Sequence, residues 1–190
     1  MSRRGPGARE AVLVGFMGAG KSTVGKILAD RMGSEFVDVD ERIEKAAGSS
    51  VREIFASLGE GAFREMEKEA IRDAVSVPGR VVAAGGGAFL DDGNRRALSE
   101  YGPVFFLDVS CESVLARLSG DLTRPLLVGE ENRLRELMEA RRPAYMMADH
   151  TVPTDARSAG EVAEAILALL AGNPGARREG GGARLPTCSP

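Results

Sequence analysis

The chain is poor in histidine and cysteine: it has one and two of them in 190 residues. A single histidine, His150, excludes any metal centre built on several imidazoles. By itself it reads as a polar residue at a strand edge. Cys111 and Cys188 lie far apart in sequence, and Cys188 sits in a Gly/Pro-rich end. No disulfide framework is expected, which fits a reducing compartment. No apolar run approaches the roughly 20 residues that cross a bilayer. The Arg-rich N-terminus lacks the apolar stretch of a secretory signal. A cytoplasmic protein is therefore expected. Charge of one sign is also missing, since 25 Lys and Arg face 28 Asp and Glu for a net charge of -3. Charge alone implies neither a nucleic acid nor a membrane partner. An anionic ligand would need a local basic site.

Hydrophobic residues make up 43% and charged residues 28%, the balance of a soluble globular domain. The length suits one domain with a sizeable core plus tails. Residues 1–9 read as a flexible arm. Residues 172–190 are rich in Gly and Pro and too poor in large apolar residues to offset their ordering entropy, so they read as a disordered tail. The folded domain spans 10–171. Within it, "AVLVG" (11–15), "EFVDVD" (35–40), "VVAA" (81–84), "VFFLDV" (104–109) and "HTVPT" (150–154) read as strands. Lys21–Met32, Ser110–Leu118, Asn132–Tyr145 and Ser158–Leu170 show helical spacing. Ser50 and Glu53 suggest a capping box opening another helix that Gly59 ends, and Phe63, Met66, Ala70 and Ala74 mark one more. Such alternation implies an α/β fold with a parallel sheet covered by helices on both faces.

"GFMGAGKST", Gly15 to Thr23, has the Gly-x-x-x-x-Gly-Lys-Ser spacing of a phosphate-cradling P-loop. It follows an expected strand and opens an expected helix, the context that gives the pattern its weight. Glycines let backbone N–H groups approach phosphate oxygens, and the helix N-terminus adds favourable partial charge. The nucleotide-binding set is Gly18, Ala19, Gly20, Lys21, Ser22 and Thr23. Lys21 is expected at the β- and γ-phosphates and the Ser22 hydroxyl on Mg²⁺.

The destination of the phosphate is read elsewhere. No guanine-reading Asn-Lys-x-Asp is present, and "VFFLDVS" lacks a second acid after Asp108, so a GTP switch and a motor ATPase both lose ground. "LSGDLTRPLLVGEEN" (118–132) fits a lid carrying Arg124, which would exclude water and stabilise charge on a transferred group. An ordinary surface loop is the alternative. In Asn132–Tyr145, Leu134, Leu137, Met138 and Tyr145 form an apolar stripe. Arg141 falls on it and Arg142 falls off it. An inward arginine needs an anion, either an internal carboxylate or a bidentate ligand carboxylate. Pro143 is expected to kink or end this helix. Three glycines after a strand, in "AAGGGAF" (83–89), would let a ligand approach the backbone at the carboxyl edge of the sheet; a flexible turn needs only one. Asp38 and Asp40 alternate at the expected end of the second strand. One could hold Mg²⁺ and the other accept a proton from a substrate hydroxyl, although Asp40 would also serve as a helix N-cap.

Together "LVGFMGAGKSTVG", "FVDVDERIE", "EIFASLGEGAFREME", "AAGGGAFL", "FLDVS", "TRPLL" and "RRPAY", in this order, resemble the shikimate kinase family across about residues 10–171. The resemblance implies a P-loop NTPase fold of the nucleoside-monophosphate-kinase type with a lid, and a five-stranded parallel sheet in the order 2-3-1-4-5. It implies ATP-dependent phosphorylation of the shikimate 3-hydroxyl. Arg64 and Arg141 match the carboxylate-binding arginines, and Asp40 the aspartate that binds the ring hydroxyls and acts as base. Gly86, between Gly85 and Gly87, matches the glycine whose backbone meets shikimate. Asp38 matches the acid near Mg²⁺, Arg124 the lid arginine, and Phe55 and Phe63 the aromatic lining. Arg117 and Arg157 match positions near adenine. Val39 replaces a common Thr, and Ser158 and Ala159 depart from the usual adenine-loop residues. Lys21, Asp40 and Arg124 are the expected catalytic group, ATP and shikimate the expected partners, and a monomer the expected state. A kinase for gluconate or a nucleotide, and a non-catalytic nucleotide-binding protein, remain the alternatives.

Overall fold

The computed structural model describes residues 10–119 and 130–172. The expected arm (1–9), the tail beyond 172, and the lid residues 120–129 with Arg124 lie outside them. The elements run β1 (Ala11–Val14), α1 (Lys21–Met32), β2 (Glu35–Asp38), α2 (Val39–Ala47), α3 (Val51–Ser76), β3 (Arg80–Ala83), a 3-10 turn (Ala88–Leu90), α4 (Asp92–Tyr101), β4 (Val104–Asp108), α5 (Cys111–Ser119), α6 (Glu130–Tyr145), β5 (His150–Pro153) and α7 (Ala159–Gly172).

The five strands form one parallel sheet in the order β2-β3-β1-β4-β5. Every residue of β1 and β3 is buried, whichever face it points to. Only a sheet covered on both faces does this. β5, at the edge, buries Val152 alone and carries Pro153, a residue that edges tolerate. Leu13, Leu28, Ile71, Phe89, Phe105, Leu107 and Ile166 fill the core between sheet and helices. β1 is flanked by β3 on one side and β4 on the other. The chain thus turns to opposite sides of β1, and the crevice at the carboxyl end of β1 is the switch point where open α/β sheets bind ligands.

The second strand is shorter than the sequence suggests. It stops at Asp38, whose Oδ1 accepts from the backbone N–H of Asp40 (3.0 Å) and Glu41 (3.5 Å). That N-cap starts α2 at Val39 and puts Asp40 in its first turn. The alternation of Asp38 and Asp40 is therefore not strand alternation. α4 has no counterpart in the sequence reading, and α2 is there only as the helix that Asp40 would cap; the cap is Asp38 instead. The capping box is present, with the Glu53 N–H donating to Ser50 Oγ and the Ser50 N–H to Glu53 Oε2. Gly59 interrupts α3 with φ 80° and ψ 171°, and the helix resumes beyond it. Pro143 sits near the end of α6 without stopping it before Tyr145. Among the described residues no helix is long and apolar enough to cross a membrane.

Candidate active site

The turn from β1 into α1 is the phosphate cradle. Gly20 caps α1 in a left-handed conformation, no side chain caps the helix, and its first turn carries no acid. Its N–H groups and partial positive charge therefore face the turn unopposed, as an anion site requires. Lys21 Nζ donates to the carbonyls of Gly15 (2.9 Å) and Phe16 (3.1 Å). Burial pushes its ammonium below the ordinary 10.5, against Asp40 and Asp38, which hold it up. Ser22 Oγ donates to Asp38 Oδ2 at 2.6 Å. Asp38 thus joins the cradle through one oxygen and caps α2 through the other. A hydroxyl and a carboxylate side by side are hard oxygen donors of the kind Mg²⁺ takes when phosphates and water supply the rest. The described residues contain no cluster of three or more His, Cys, Asp or Glu that could cage a metal alone.

Behind the cradle lies a cleft of about 390 Å³ whose lining includes Gly18, Gly20, Thr23, Arg117, Thr154 and Arg157. Arg117, from α5, donates to the Gly18 carbonyl at 2.6 Å. Arg157 follows Ala156, the one non-glycine residue with positive φ among the described residues (55°). Both arginines assigned to the adenine region by resemblance therefore line one cleft with the P-loop.

On the other side of the cradle, α2, α3, α6 and the turn after β3 converge. The triple glycine is explained by close approach. A Cβ on Gly85 would lie 2.6 Å from Asp40 Oδ1 and 3.0 Å from Glu67 Oε1. A Cβ on Gly87 would lie 2.6 Å from both terminal nitrogens of Arg64. Arg141 Nη1 and the Tyr145 hydroxyl both donate to the Gly86 carbonyl. Arg141 also stacks over the Phe16 ring at 5.6 Å and has no carboxylate partner among the described residues. No acid among the described residues consumes its charge.

Arg64 is not a solvated surface residue. Its guanidinium bonds Glu67 Oε2 (2.8 Å) and Glu60 Oε1 (2.9 Å) and lies over the Phe63 ring at 5.4 Å. Phe63 in turn packs against Phe55, with centroids 4.6 Å apart. Burial raises the Asp40 carboxyl above its ordinary 3.8, and Asp38 adds to the effect while Lys21 opposes it. Burial raises Glu67 as well, against the attraction of Arg64.

The pocket thus gathers Asp40, Arg64, Gly85, Gly86, Gly87 and Arg141, with the Phe55–Phe63 pair against Arg64. Phe16, Glu67, Thr154 and Tyr145 were missed as site residues. Glu67 had a signal: it falls four residues after Phe63 and four before Ile71, on the apolar stripe of α3, and it is 1% exposed. Its Oε1 has no hydrogen-bond partner.

Over residues 17–171 the chain matches the family model described as shikimate kinase. The shikimate kinase of Geobacter sulfurreducens is 49% identical over 164 residues, covering 85% of this chain and 91% of its own. That of Persephonella marina is 42% identical over 162 residues, 85% of this chain and 99% of its own. Among solved structures, the Acinetobacter baumannii shikimate kinase in complex with shikimate superposes with a TM-score of 0.80 at 39% identity, covering 87% of this chain and 94% of that one. A gluconokinase from Sinorhizobium meliloti, at 23% identity and a TM-score of 0.57, shares the fold alone. On this match across the whole P-loop domain, the chain belongs to the shikimate kinase family.

Proposed function

We propose that this chain transfers the γ-phosphate of ATP to the 3-hydroxyl of shikimate, giving shikimate 3-phosphate and ADP on the route to chorismate and the aromatic amino acids. The observation that carries the reading is Arg141, an inward guanidinium without a carboxylate partner among the described residues, placed with Arg64 around a glycine turn that also adjoins Asp40. A bidentate ligand carboxylate completes such a site.

Placement supports the following residue roles. Gly18, Ala19, Gly20 and Thr23 hold the phosphates through the turn and the start of α1, and Arg117 and Arg157 flank the base. Lys21 carries positive charge to the β- and γ-phosphates. Ser22 and Asp38 would hold Mg²⁺, which when bound neutralises charge on the phosphate oxygens. Arg64 and Arg141 orient the acceptor by its carboxylate, the glycine turn receives its ring, and Phe55 and Phe63 close the apolar side. Asp40 orients the hydroxyl. As the new O–P bond forms and the bond to the β,γ-bridging oxygen breaks, Asp40 takes the hydroxyl proton late, because the transition state is loose. Arg124, outside the described residues, is assigned by its place in the chain to charge on the transferring group. One chain bears both the phosphate-side and the acceptor-side residues, which supports a monomer, and the use of ATP supports a cytoplasmic location.

A coupled ADP-release assay with shikimate, gluconate and nucleoside monophosphates tests the reading. Turnover is expected with shikimate alone. ADP release stimulated by gluconate or a nucleotide and not by shikimate would replace the acceptor. No stimulation by any of them would leave a nucleotide-binding protein. Arg141→Lys is expected to raise the shikimate KM by about tenfold or more, since a point charge replaces a two-pronged fork.

A further inference from the structure

Arg142, the neighbour that falls off the apolar stripe, has an unusually defined partner for a residue 53% exposed. Its Nη1 donates to Asp108 Oδ1 at 2.7 Å and its Nη2 to Asp108 Oδ2 at 2.9 Å. Exposed ion pairs are ordinarily worth little, and two-pronged geometry is the exception. The guanidinium also lies over the Phe106 ring at 5.9 Å.

Asp108 is a fixed point. It ends β4, and its carbonyl accepts from the N–H (2.8 Å) and the hydroxyl (3.2 Å) of Thr154, the residue after β5. The pair therefore ties the last turn of α6 to the sheet. That turn is one backbone bond short, because Pro143 has no N–H to donate to the preceding turn, while the Arg142 carbonyl still accepts from the Met146 N–H at 2.9 Å. The residue just before this anchor is Arg141, which reaches a different set of partners, Gly86 and Phe16.

We propose that the Asp108–Arg142 pair is a positioning device for the acceptor site: it fixes the rotation of the α6 terminus about its axis and so aims Arg141 at the acceptor carboxylate. The inference rests on the kinase reading above. Tyr145, stacked on Phe106 at 5.1 Å and bonded to the Gly86 carbonyl, pins the turn at a second point. Loss of the ion pair thus loosens the turn without releasing it.

Steady-state kinetics and thermal melts of Arg142→Ala, Asp108→Asn, their double variant and Arg142→Lys test the proposal. Each of the first two is expected to raise the acceptor KM about three- to tenfold, with the ATP KM within about twofold. The double variant is expected to be no worse than the poorer single one, as for partners in one interaction. Arg142→Lys should recover part of the loss, since an ammonium keeps attraction without the fork. Melting temperatures should stay within about 2 °C of the parent. An unchanged acceptor KM in every variant overturns the proposal. So does a parallel rise of both KM values with a lowered melting temperature, which marks a general loss of structure. A parent enzyme that releases no ADP on adding shikimate removes the kinase reading itself, and the proposal with it.

Discussion

Asp40 binds its proton more tightly in the folded chain than in the unfolded one, because burial and Asp38 both disfavour the carboxylate. The folded-state pKa is thus raised above the ordinary 3.8. The stabilising effect of that proton is present at low pH and is lost as pH rises through the folded value. At neutral pH the ionised carboxylate costs the fold stability, which fits the role proposed for it at the acceptor. Asp40→Asn is therefore expected to cut kcat by at least about a hundredfold, as loss of a general base does, while ATP affinity stays nearly intact. Its melting temperature at pH 7.5 should equal or exceed that of the parent, with the gap closing as pH falls through the raised folded-state value. Lower stability at pH 7.5, or an equal loss of ATP affinity, would contradict the role. Gly87 makes a second residue-scale case. A methyl group there meets the Arg64 guanidinium at 2.6 Å, so Gly87→Ala should push Arg64 aside and raise the acceptor KM. A KM that did not move would mean that Arg64 swings away at no cost.

Gly59 divides α3 into a part bearing Phe55 and a part bearing Phe63 and Arg64. Its φ of 80° and ψ of 171° belong to a region that residues other than glycine enter only at about 1–3 kcal/mol. No atom lies within 4 Å of a Cβ placed there, so Gly59→Ala isolates the backbone cost. It should lower the melting temperature, while Gly61→Ala, with equally open space and no left-handed backbone, should be neutral or stabilise by up to about 1 kcal/mol. Denaturant unfolding of the pair decides it, and equal stabilities would mean that the break adjusts freely. The same helix shows what was legible from sequence. Ser50 and Glu53 announce its start because a capping box is local chemistry. The P-loop, the strand order and the inward Arg141 were legible through motif, spacing and resemblance, whereas the bond from Arg141 to the Gly86 carbonyl was not. The start of α2 was not, since "FVDVDE" alternates like a strand until the Asp38 side chain turns to its own backbone. Glu67 was hidden by an ordinary bias, that charged residues in a charge-rich helix face water. The partners of Arg142 and Tyr145 depend on strand ends brought together by the sheet, which no local pattern records.

The buried sheet and the acceptor pocket share few residues across the whole molecule. Strands and the inner faces of the helices supply the core, whereas Asp40, Arg64, Arg141 and one glycine turn form the proposed acceptor pocket. Ligand binding should therefore add to stability by mass action without altering the core. Shikimate at a hundred times its Kd is expected to stabilise the parent by about 2.7 kcal/mol, and at that concentration Arg141→Lys should gain clearly less. Equal shifts in melting temperature would place the carboxylate elsewhere. A chain ending at residue 172, one beyond the family match, is expected to keep both KM values and kcat. Asp38 is the exception to the division of labour, since one oxygen serves the phosphate side and the other starts the helix that carries Asp40. For anyone grafting a new acceptor specificity onto this scaffold, that carboxylate marks the seam: the pocket-facing residues of α3 and of the end of α6 are the parts to vary, whereas the span from the P-loop to the first turn of α2 must be inherited whole.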